Sequence, residues 1–373
     1  MKIPFVDLKA QYKALEAEMI TAIKTVLEQA AFIKGKHVTA FETNFAALIG
    51  TKHCIGVGNG TDALIICLKS MGIGKGDEVI VPANSFIATS EAVSAVGAQV
   101  VFVDNHPHTY NIDVEKIKES ITSKTKAIIP VHIYGQMADM EAILTLASEY
   151  NLRVIEDAAQ AHLSEYKMKD GSWKMAGTIG DMATFSFFPG KNLGAYGDAG
   201  AIVTNSDELA RLARMYANHG RIAKYDHELE GLNSRLDGLQ AAILNVKLKY
   251  LKEWTDSRRK VAAIYSDNLK DVQGIVLPSV GERYNPVWHL YVIRTEKRNA
   301  LQSFLKEKGI AAGIHYPIAL PNLKAYQYKG YQEVDFPIAS SYQEQLLSLP
   351  LYPEITNQQL EYIAQNIKAF SQQ

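Results

Sequence analysis

The 373-residue chain has few cysteines and no excess of either charge. Cys54 and Cys67 are the only two cysteines, too few for a disulfide scaffold or a cysteine-based zinc site, and they favour a reducing, cytoplasmic location. Lysine plus arginine (39) and aspartate plus glutamate (40) leave a formal charge of −1. Such a balance gives no overall attraction to nucleic acid or to acidic lipid, so neither is predicted as a partner.

Long hydrophobic segments are also missing. The longest uninterrupted apolar run, residues 63–68, is far too short for a membrane span. Asp7 and Lys9 interrupt the apolar stretch at the N-terminus, so no secretory signal is predicted. Neither HExxH nor CxxC occurs, and His106 and His108 lie in a polar, proline-containing segment that is typical of a surface turn. We therefore predict no metal site.

What the chain does contain is a regular alternation of short apolar segments and helical patterns. Predicted strands cover residues 53–58, 78–82, 99–104, 127–134, 153–157, 183–188 and 199–204. Helical patterns between them cover residues 60–71, 86–96, 139–150 and 207–216. This order predicts an α/β fold with a mostly parallel seven-stranded sheet between helices. In such a sheet ligands bind beyond the carboxyl ends of the strands.

The pattern changes near residue 236. A helical pattern from 236 to 269 contains no glycine after Gly238 and predicts one long helix that leads into a second unit. Beyond it we predict a strand at 287–294, a helix at 298–308, a strand at 313–316 and a final helix at 357–370. The chain therefore divides into a large α/β domain with an N-terminal arm over residues 1–250 and a smaller α+β domain over residues 251–373.

The segment VGNGTDAL connects the first strand to a helix. Gly58 and Gly60 permit close backbone approach, and Thr61 adds a hydroxyl beside the free N–H groups of a helix start, which is an arrangement that binds phosphate. A plain turn capped by Thr61 or Asp62 explains the same residues. The dinucleotide-binding pattern GxGxxG fails because Thr61 stands at its last glycine, and Gly190–Lys191 lacks the following Ser or Thr of a nucleotide-binding P-loop.

The segment VIEDAAQAH places an acid where a predicted strand ends. Asp157 closes the strand, and Gln160 follows about one helical turn later. A strand-end acid can cap a helix or bind magnesium. It can also hold a proton on a heteroaromatic nitrogen, as pyridoxal phosphate (PLP) requires if its ring is to take up electrons.

The segment TFSFFPGKNLGAYGDAGAIVTN contains a lysine in a loop between two apolar strands. A lone loop lysine is commonly a solvated charge. Here Phe187, Phe188 and Leu193 flank Lys191, and an apolar surrounding lowers the pKa of an amine, so that the neutral form can make a Schiff base with an aldehyde. Ser186 offers a hydroxyl to a phosphate site.

A phosphate-binding loop, a strand-end aspartate and a loop lysine occur here in the order required by fold-type I PLP enzymes. The whole chain resembles the DegT/DnrJ/EryC1/StrS family of PLP-dependent nucleotide-sugar aminotransferases. The stretches that carry the resemblance are PFVDLKAQY, NGTDALIICL, GKGDEVIVPANSFIAT, KAIIPVHIYGQMADM, IEDAAQAH, FSFFPGKNLGAYGDAGA, NSRLDGLQAAIL and GIHYP. The resemblance implies PLP and its amine form PMP as cofactor and a homodimer with shared active sites. It also implies amino transfer, from L-glutamate, to a nucleotide-linked 3-keto or 4-keto deoxysugar used in cell-surface polysaccharide or amino-sugar biosynthesis.

The resemblance also implies roles for individual residues. Lys191 would be the Schiff-base lysine and Asp157 the partner of the ring nitrogen. Gln160 would approach the ring hydroxyl, and Phe86 would stack on the ring. The remaining roles would be phosphate binding by Gly60, Thr61, Ser186 and, from a second subunit, Asn233, and contact with the nucleotide sugar by Arg235, His315 and Tyr316.

Several alternatives stay open at this point. Phe86 fits a core aromatic, His315 a strand-end histidine with a local hydrogen bond, and Asn233 a cap for the helix that follows it in its own chain. Many relatives carry a further histidine after HYP where this chain reads IALPN, so the resemblance does not specify the sugar or the aminated carbon. Two other functions compete: a sugar dehydratase, disfavoured because those relatives carry histidine in place of Lys191, and a non-catalytic sensor or regulator, disfavoured by the complete set of cofactor residues.

Overall fold

The computed structural model describes residues 1–372, and a seven-stranded sheet lies at its centre. The strands are β1 (His53–Val57), β2 (Glu78–Pro82), β3 (Gln99–Val103), β4 (Thr125–Ile128), β5 (Arg153–Asp157), β6 (Glu165–Lys167), β7 (Trp173–Met175), β8 (Met182–Ser186), β9 (Gly200–Thr204), β10 (Arg221–Ala223), β11 (Asp226–His227), β12 (Tyr284–Asn285), β13 (Tyr291–Arg294) and β14 (Leu346–Leu349). The central order is β1-β9-β8-β5-β4-β2-β3, and β9 runs antiparallel to both of its neighbours. The predicted mostly parallel α/β sheet is therefore confirmed.

Helices cover both faces of this sheet and build the C-terminal part. They are α1 (Leu8–Glu28), α2 (Lys36–Ile49), α3 (Gly60–Ser70), α4 (Ala88–Ala95), α5 (Val114–Ser120), α6 (Met140–Tyr150), α7 (Asp207–Tyr216), α8 (Gly238–Leu248), α9 (Leu251–Leu269), α10 (Arg298–Glu307), α11 (Pro337–Tyr342) and α12 (Asn357–Ser371). Short 3₁₀ turns occur at Ile133–Gly135, Leu320–Asn322, Lys324–Lys329 and Glu333–Asp335.

The single long helix predicted over residues 236–269 is wrong, because the segment forms two helices, α8 and α9. Between them Tyr250 N–H donates to the Lys247 carbonyl at 3.0 Å, a bond that tightens the chain into a turn. Glu18 of α1 fixes this turn by accepting from the Tyr250 hydroxyl and, at 2.8 Å, from Lys249 Nζ. The turn is therefore a feature of the fold, within a segment whose local sequence pattern is continuous.

Two other predicted elements differ from the structure. The strand predicted at 313–316 is reduced to one bridge between Gly313 and Ser348. The strand at 287–294 is shorter, and its partner β14 has no counterpart in the sequence prediction. β14 reads LLSL and is buried at every position, so its apolar run alone does not distinguish a strand from a buried helix.

An aromatic cluster packs on the face of the sheet that faces α2. Phe45 meets Phe185 and Phe187 edge to face, with ring centroids 5.1 and 5.3 Å apart, and Phe41 meets Phe187 at 5.2 Å. All four rings are fully buried. Edge-to-face pairs stabilise a core beyond the area that they bury. The cluster fixes the end of β8, from which the loop with Lys191 departs.

A separate core holds the C-terminal part, with Tyr265, Tyr291 and Ile363 among its buried members. The N-terminal arm joins this core: Ile3 donates to the Gly309 carbonyl at 2.8 Å and is itself buried. In the other direction, residues 319–339 pack on the central sheet. Segments from each side of residue 250 thus pack on the other side, and the division of the chain at this residue stays a prediction.

Within residues 1–372, no helix is long and apolar enough to cross a membrane. The same residues contain no group of three or more histidine, cysteine, aspartate or glutamate side chains placed to hold a metal ion. Cys54 and Cys67 are both buried as free thiols.

Gly200 opens β9 directly against the turn that begins α3. A Cβ at this position would lie 2.4 Å from the Asn59 carbonyl carbon and 2.9 Å from the Gly60 nitrogen. We expect Gly200→Ala to lower the free energy of unfolding by about 1–3 kcal/mol, because the backbone must move apart. Urea unfolding measures this loss. The matched control is Gly74→Ala, whose Cβ would meet Val96 O at 3.4 Å and should change stability by less than about 0.5 kcal/mol. Equal stability of both variants would contradict the close approach.

Candidate active site

The predicted site residues gather at the carboxyl ends of β5 and β8, which are neighbours in the sheet. Asp157 closes β5 and Ser186 closes β8, while Lys191 follows in the loop that leads to β9. α3 begins beside them after β1. This is the edge of a parallel sheet at which ligands bind.

The Asp157 carboxylate is almost completely buried, with 5% of the residue exposed. Thr89 donates its hydroxyl to Oδ2 at 2.9 Å, and Ala159 N–H donates to Oδ1 at 3.2 Å. Burial raises the pKa of Asp157 above its ordinary value, while these hydrogen bonds and the Lys191 ammonium oppose the rise. A cationic N–H group placed against this carboxylate would compensate for the lost solvation.

The start of α3 lies against the end of β8. Asn59 caps the helix by accepting from Asp62 N–H at 2.8 Å, so the alternative that Thr61 or Asp62 is the cap is wrong. A Cβ on Gly60 would lie 2.9 Å from Ser186 Cβ, and glycine thus lets the two segments touch. Because Asn59 satisfies only the Asp62 N–H, the first N–H groups of the helix are available to an anion.

Lys191 lies in a tightly folded loop. Its N–H donates to the Phe188 carbonyl at 2.8 Å, and Ala195 N–H donates to the Phe187 carbonyl at 2.7 Å. Burial lowers the pKa of the Lys191 amine to about 8, and the Asp157 carboxylate acts in the opposite direction. The predicted depression is therefore confirmed, although of the two flanking rings only Phe187 is buried and Phe188 is 57% exposed. An amine with such a pKa is partly neutral near pH 8 and can attack an aldehyde.

Gln160 is held at both ends of its amide. Tyr134 N–H donates to Oε1 at 2.7 Å, and Nε2 donates to the Tyr316 hydroxyl at 3.1 Å. The segment after Asp157 forms successive turns rather than the helical turn expected there. Tyr134 has a left-handed backbone (φ 58°), and its hydroxyl donates to the His315 carbonyl. It therefore ties Gln160 to the His315–Tyr316 segment.

His315 makes a local hydrogen bond and also lies at the site. Its Nδ1 is 2.9 Å from Ser348 Oγ, and its ring stacks on Phe5 with centroids 5.6 Å apart. Burial, and then the Lys191 ammonium, lower the pKa of His315 to about 4, so the imidazole is neutral at physiological pH. The local bond foreseen by the alternative interpretation is present, and the electrostatic link to Lys191 is present with it.

Phe86 borders the site on its open side. It is 54% exposed and lies 6.0 Å from the Tyr316 ring, tilted by 43°. The alternative that Phe86 is a core aromatic is therefore wrong. Phe188, in the loop of Lys191, is likewise more than half exposed.

Asn233 and Arg235 do not join this group within their own chain. Ser234, between them, accepts from Gly58 N–H at 3.0 Å, and alternate side chains of an extended segment face opposite ways. The exposed Asn233 forms a bridge with Asn218 and is not a helix cap, because α8 begins later with Asp237 at its N-cap. The capping alternative is therefore wrong, and the predicted contact across subunits stays a prediction.

A cationic cluster that the sequence analysis missed surrounds Arg235. Arg221 donates to Asn218 Oδ1 at 3.1 Å, and Arg235 Nη1 lies 3.5 Å from the same oxygen. Burial, and then these two guanidinium groups, lower the pKa of Lys34. The nearby Glu42 already accepts from Arg214 at 3.1 Å. Within residues 1–372 Lys34, Arg221 and Arg235 form no ion pair with a carboxylate, and such a cluster favours a bound anion. They come from separate segments, so no local pattern indicates them.

Other contacts of the site were also missed. Asn192, the neighbour of Lys191, lies with Oδ1 3.1 Å from His289 Nδ1 and donates Nδ2 to the Val287 carbonyl at 3.2 Å. The contacts of Thr89 and Tyr134, described above, were missed as well. Each is an ordinary polar residue whose partner lies far away in sequence, so only the fold identifies it.

These features fit PLP on observations of the chain itself. Among the described residues the buried Asp157 carboxylate forms no ion pair, the amine of Lys191 has a lowered pKa, and the start of α3 offers N–H groups beside Ser186. Fold and site together are those of a fold-type I PLP-dependent enzyme.

Comparison with known proteins identifies the family. The chain belongs to the DegT/DnrJ/EryC1/StrS aminotransferase family, whose sequence profile matches residues 13–368. It is 47% identical over 373 residues to a pleiotropic regulatory protein of Geobacillus stearothermophilus, with 99% of each chain covered. It is 46% identical over 368 residues to dTDP-3-amino-3,6-dideoxy-alpha-D-galactopyranose transaminase of Aneurinibacillus thermoaerophilus, again with 99% of each covered. The crystal structure of S. venezuelae DesV with a ketimine intermediate has a TM-score of 0.96 and 42% identity, covering 100% of this chain and 99% of that one.

The cofactor and the reaction class follow from this membership. Two further solved structures of the same fold carry PMP, and pyridoxal phosphate with its amine form is the cofactor here too. The predictions of an aminotransferase and of PLP are confirmed.

The lowered pKa of Lys191 is directly testable in the cofactor-free protein. We expect its rate of acylation by an N-hydroxysuccinimide ester to rise with a midpoint near pH 8 rather than 10.5. In Asp157→Asn the midpoint should fall further, because the lost negative charge no longer favours the ammonium form. Peptide mass spectrometry measures the labelling of the Lys191 peptide at each pH, and Lys191→Met supplies the blank. A midpoint near 10.5, or an upward shift in Asp157→Asn, would contradict the description of the site.

Proposed function

We propose that the protein transfers an amino group from L-glutamate to a 3-keto (or 4-keto) deoxysugar carried on a nucleoside diphosphate. The observation that carries the proposal is the low-pKa amine of Lys191 in one site with the buried carboxylate of Asp157. We place the reaction in the cytoplasm, where its product would serve cell-surface polysaccharide or amino-sugar biosynthesis.

The cofactor is held by residues from several segments. When bound, it supplies an aldehyde carbon and a pyridine ring that takes up electrons. Asp157 would keep a proton on the ring nitrogen, Gln160 would donate to the ring hydroxyl, and Phe86 would lie against the ring face. Gly60, Thr61, Ser186 and the partner subunit's Asn233 would bind the phosphate.

Lys191 moves the proton. With PLP bound, the Lys191 amine would hold the cofactor at its aldehyde carbon and would make way for the amino group of the donor. Its Nζ is then the group that would take the proton from the donor α-carbon and release it on the cofactor side. The same residue would serve in the reverse direction on the keto-sugar. A pKa of about 8 suits both directions, because the amine accepts and releases a proton near neutral pH.

The cationic cluster supports a substrate that carries a diphosphate. In the described part of the chain Lys34, Arg221 and Arg235 converge without forming an ion pair with a carboxylate, and a diphosphate would supply negative charge there. Because Asn233 and Arg235 share one face of an extended segment, both would reach the site of the partner subunit. His315 and Tyr316 would contact the sugar from the subunit that supplies Lys191.

Two other functions were weighed. A regulatory role draws support from the relative named a pleiotropic regulatory protein. The low pKa of Lys191 argues against a purely regulatory role, since a sensor does not need a reactive amine. A dehydratase of this fold would carry histidine at position 191, where this chain has lysine.

The proposal is tested by replacing Lys191. We expect Lys191→Ala and Lys191→Arg to lower amino transfer by at least about a thousandfold, because no other amine holds or moves the proton. The assay incubates protein, PLP and glutamate with dTDP-, UDP- and GDP-linked keto-sugars and detects the amino sugar by mass spectrometry. Lys252→Ala, which changes an exposed lysine of α9, is the matched control and should retain wild-type rates. Steady turnover in either Lys191 variant would refute the assignment.

The shared site is tested by mixing two inactive variants. A dimer of one Lys191→Ala chain and one Asn233→Ala/Arg235→Ala chain carries both lesions in one site and none in the other. We expect each such heterodimer to recover about half the activity of a wild-type dimer. Mixing Lys191→Ala with Lys191→Arg is the control and should recover nothing, because every site stays damaged. Absence of complementation in the first mixture, or an active monomer by sedimentation, would refute the shared site.

A further inference from the structure

A second buried lysine contacts the loop that carries Lys191. Lys247 of α8 is 1% exposed, and its Nζ donates to the Gly194 carbonyl at 2.7 Å. The same Nζ lies 4.3 Å from the centroid of the Tyr196 ring. Gly194 and Tyr196 both belong to the loop between β8 and β9. Lys247 therefore binds this loop twice, through a hydrogen bond and through a cation–π contact.

This lysine is costly to bury. Within residues 1–372 no carboxylate lies within 4.0 Å of its Nζ. Burial lowers the pKa of Lys247 to about 8, and Glu354 opposes the shift only from a distance. A buried charge costs free energy unless hydrogen bonds or an opposite charge compensate for its lost solvation. The contribution of Lys247 is therefore to be sought in the loop that it holds.

The loop transmits the contact because it is closed on itself. A Cβ at Gly194 would lie 2.3 Å from the Pro189 carbonyl oxygen, so the two backbones already touch. Ala195 N–H donates to the Phe187 carbonyl, and Lys191 N–H donates to the Phe188 carbonyl. Gly194 consequently cannot move without moving the backbone of Lys191.

The amine of Lys191 depends on that backbone for its position. Among the described residues, its Nζ makes no hydrogen bond and no ion pair. The loop in turn is anchored on its other side by Asn192, through His289 and the Val287 carbonyl. Lys247 is the anchor on the α8 side, together with Gln240, whose Oε1 accepts from Tyr196 N–H at 2.9 Å.

We propose that Lys247 is a positioning residue for Lys191: by holding the Gly194 carbonyl it fixes the loop that sets where the Lys191 amine lies. The proposal rests on the role of Lys191 in the proposed function. Lys247 itself touches neither substrate nor cofactor and acts only through the backbone. Loss of the contact would leave the binding groups in place and displace the amine from the reacting atoms.

Three variants separate the contributions of Lys247. Lys247→Met keeps the length of the side chain and removes both the donor and the charge, Lys247→Gln is too short to reach Gly194, and Lys247→Arg retains a charged donor. Lys252→Met, at an exposed lysine of α9, is the matched control. We expect Lys247→Met to stay folded with a thermal midpoint close to that of the wild type, because removal of the buried charge offsets the loss of the donor to the Gly194 carbonyl.

If Lys247 had a purely structural role, the quantities measured below would keep their wild-type values in a folded variant. In Lys247→Met we expect kcat to fall by about tenfold to a hundredfold, with KM for both substrates changed less than about twofold, because the amine is misplaced while binding is intact. The pH midpoint of the bound-cofactor absorption band should shift. Borohydride reduction followed by peptide mapping should attach less cofactor to Lys191. Lys247→Arg should restore most of each value.

The outcomes distinguish this proposal from the proposed function. If borohydride fails to attach cofactor to Lys191 in the wild-type protein, the proposed function fails. If the wild type is labelled there but a folded Lys247→Met or Lys247→Gln shows wild-type kcat and absorption midpoint, the positioning role is overturned. A loss of kcat that Lys252→Met shares equally would overturn it as well.

Discussion

Burial acts on two oppositely charged groups that lie close together, Asp157 and Lys191, and the site depends on that opposition. Desolvation raises the pKa of the carboxyl group and lowers that of the amine, while each charge opposes the shift of the other. The carboxylate is retained by Thr89 and Ala159, and the amine has no such partner among the described residues. One group is thus suited to holding a cationic ring nitrogen, and the other to exchanging protons.

The strand order of the sheet brings these two groups together. β5 and β8 are neighbours in space although the β6–β7 hairpin separates them in sequence, and their carboxyl ends carry Asp157 and Ser186. Phenylalanines from α2 and β8 lock one face, and α3 covers the other with its start against Ser186. The loop of Lys191 therefore begins from a rigid core. Lys247 binds this loop at the Gly194 carbonyl, and Asn192 of the loop binds the Val287 carbonyl.

A single chain leaves one side of the site uncovered. Phe86 and Phe188 are more than half exposed. Lys34, Arg221 and Arg235 lie together, and among the described residues they form no ion pair with a carboxylate. Exposed aromatic rings at the site and a cluster of unpaired cations would both be explained if a second copy brought the cluster to the site. The proposed dimer with shared sites would account for both, and it would give the exposed Asn233 a binding role.

The sequence by itself predicted the seven central strands in their order along the chain, and its family resemblance predicted the class of the cofactor and the roles of Lys191 and Asp157. The strands follow from local apolar runs, whereas the roles depend on the matched motifs around Asp157 and Lys191. Only the tertiary structure decided the break between α8 and α9, the pairing of β13 with β14, and the roles of Thr89, Tyr134 and Lys247. The physical reason is that hydrogen bonds and ion pairs over long sequence separations leave no periodicity in the chain. Glu18 of α1 contacts the turn between α8 and α9 only once folding has made these segments neighbours, and the same is true of Lys247 of α8 and the loop of Lys191.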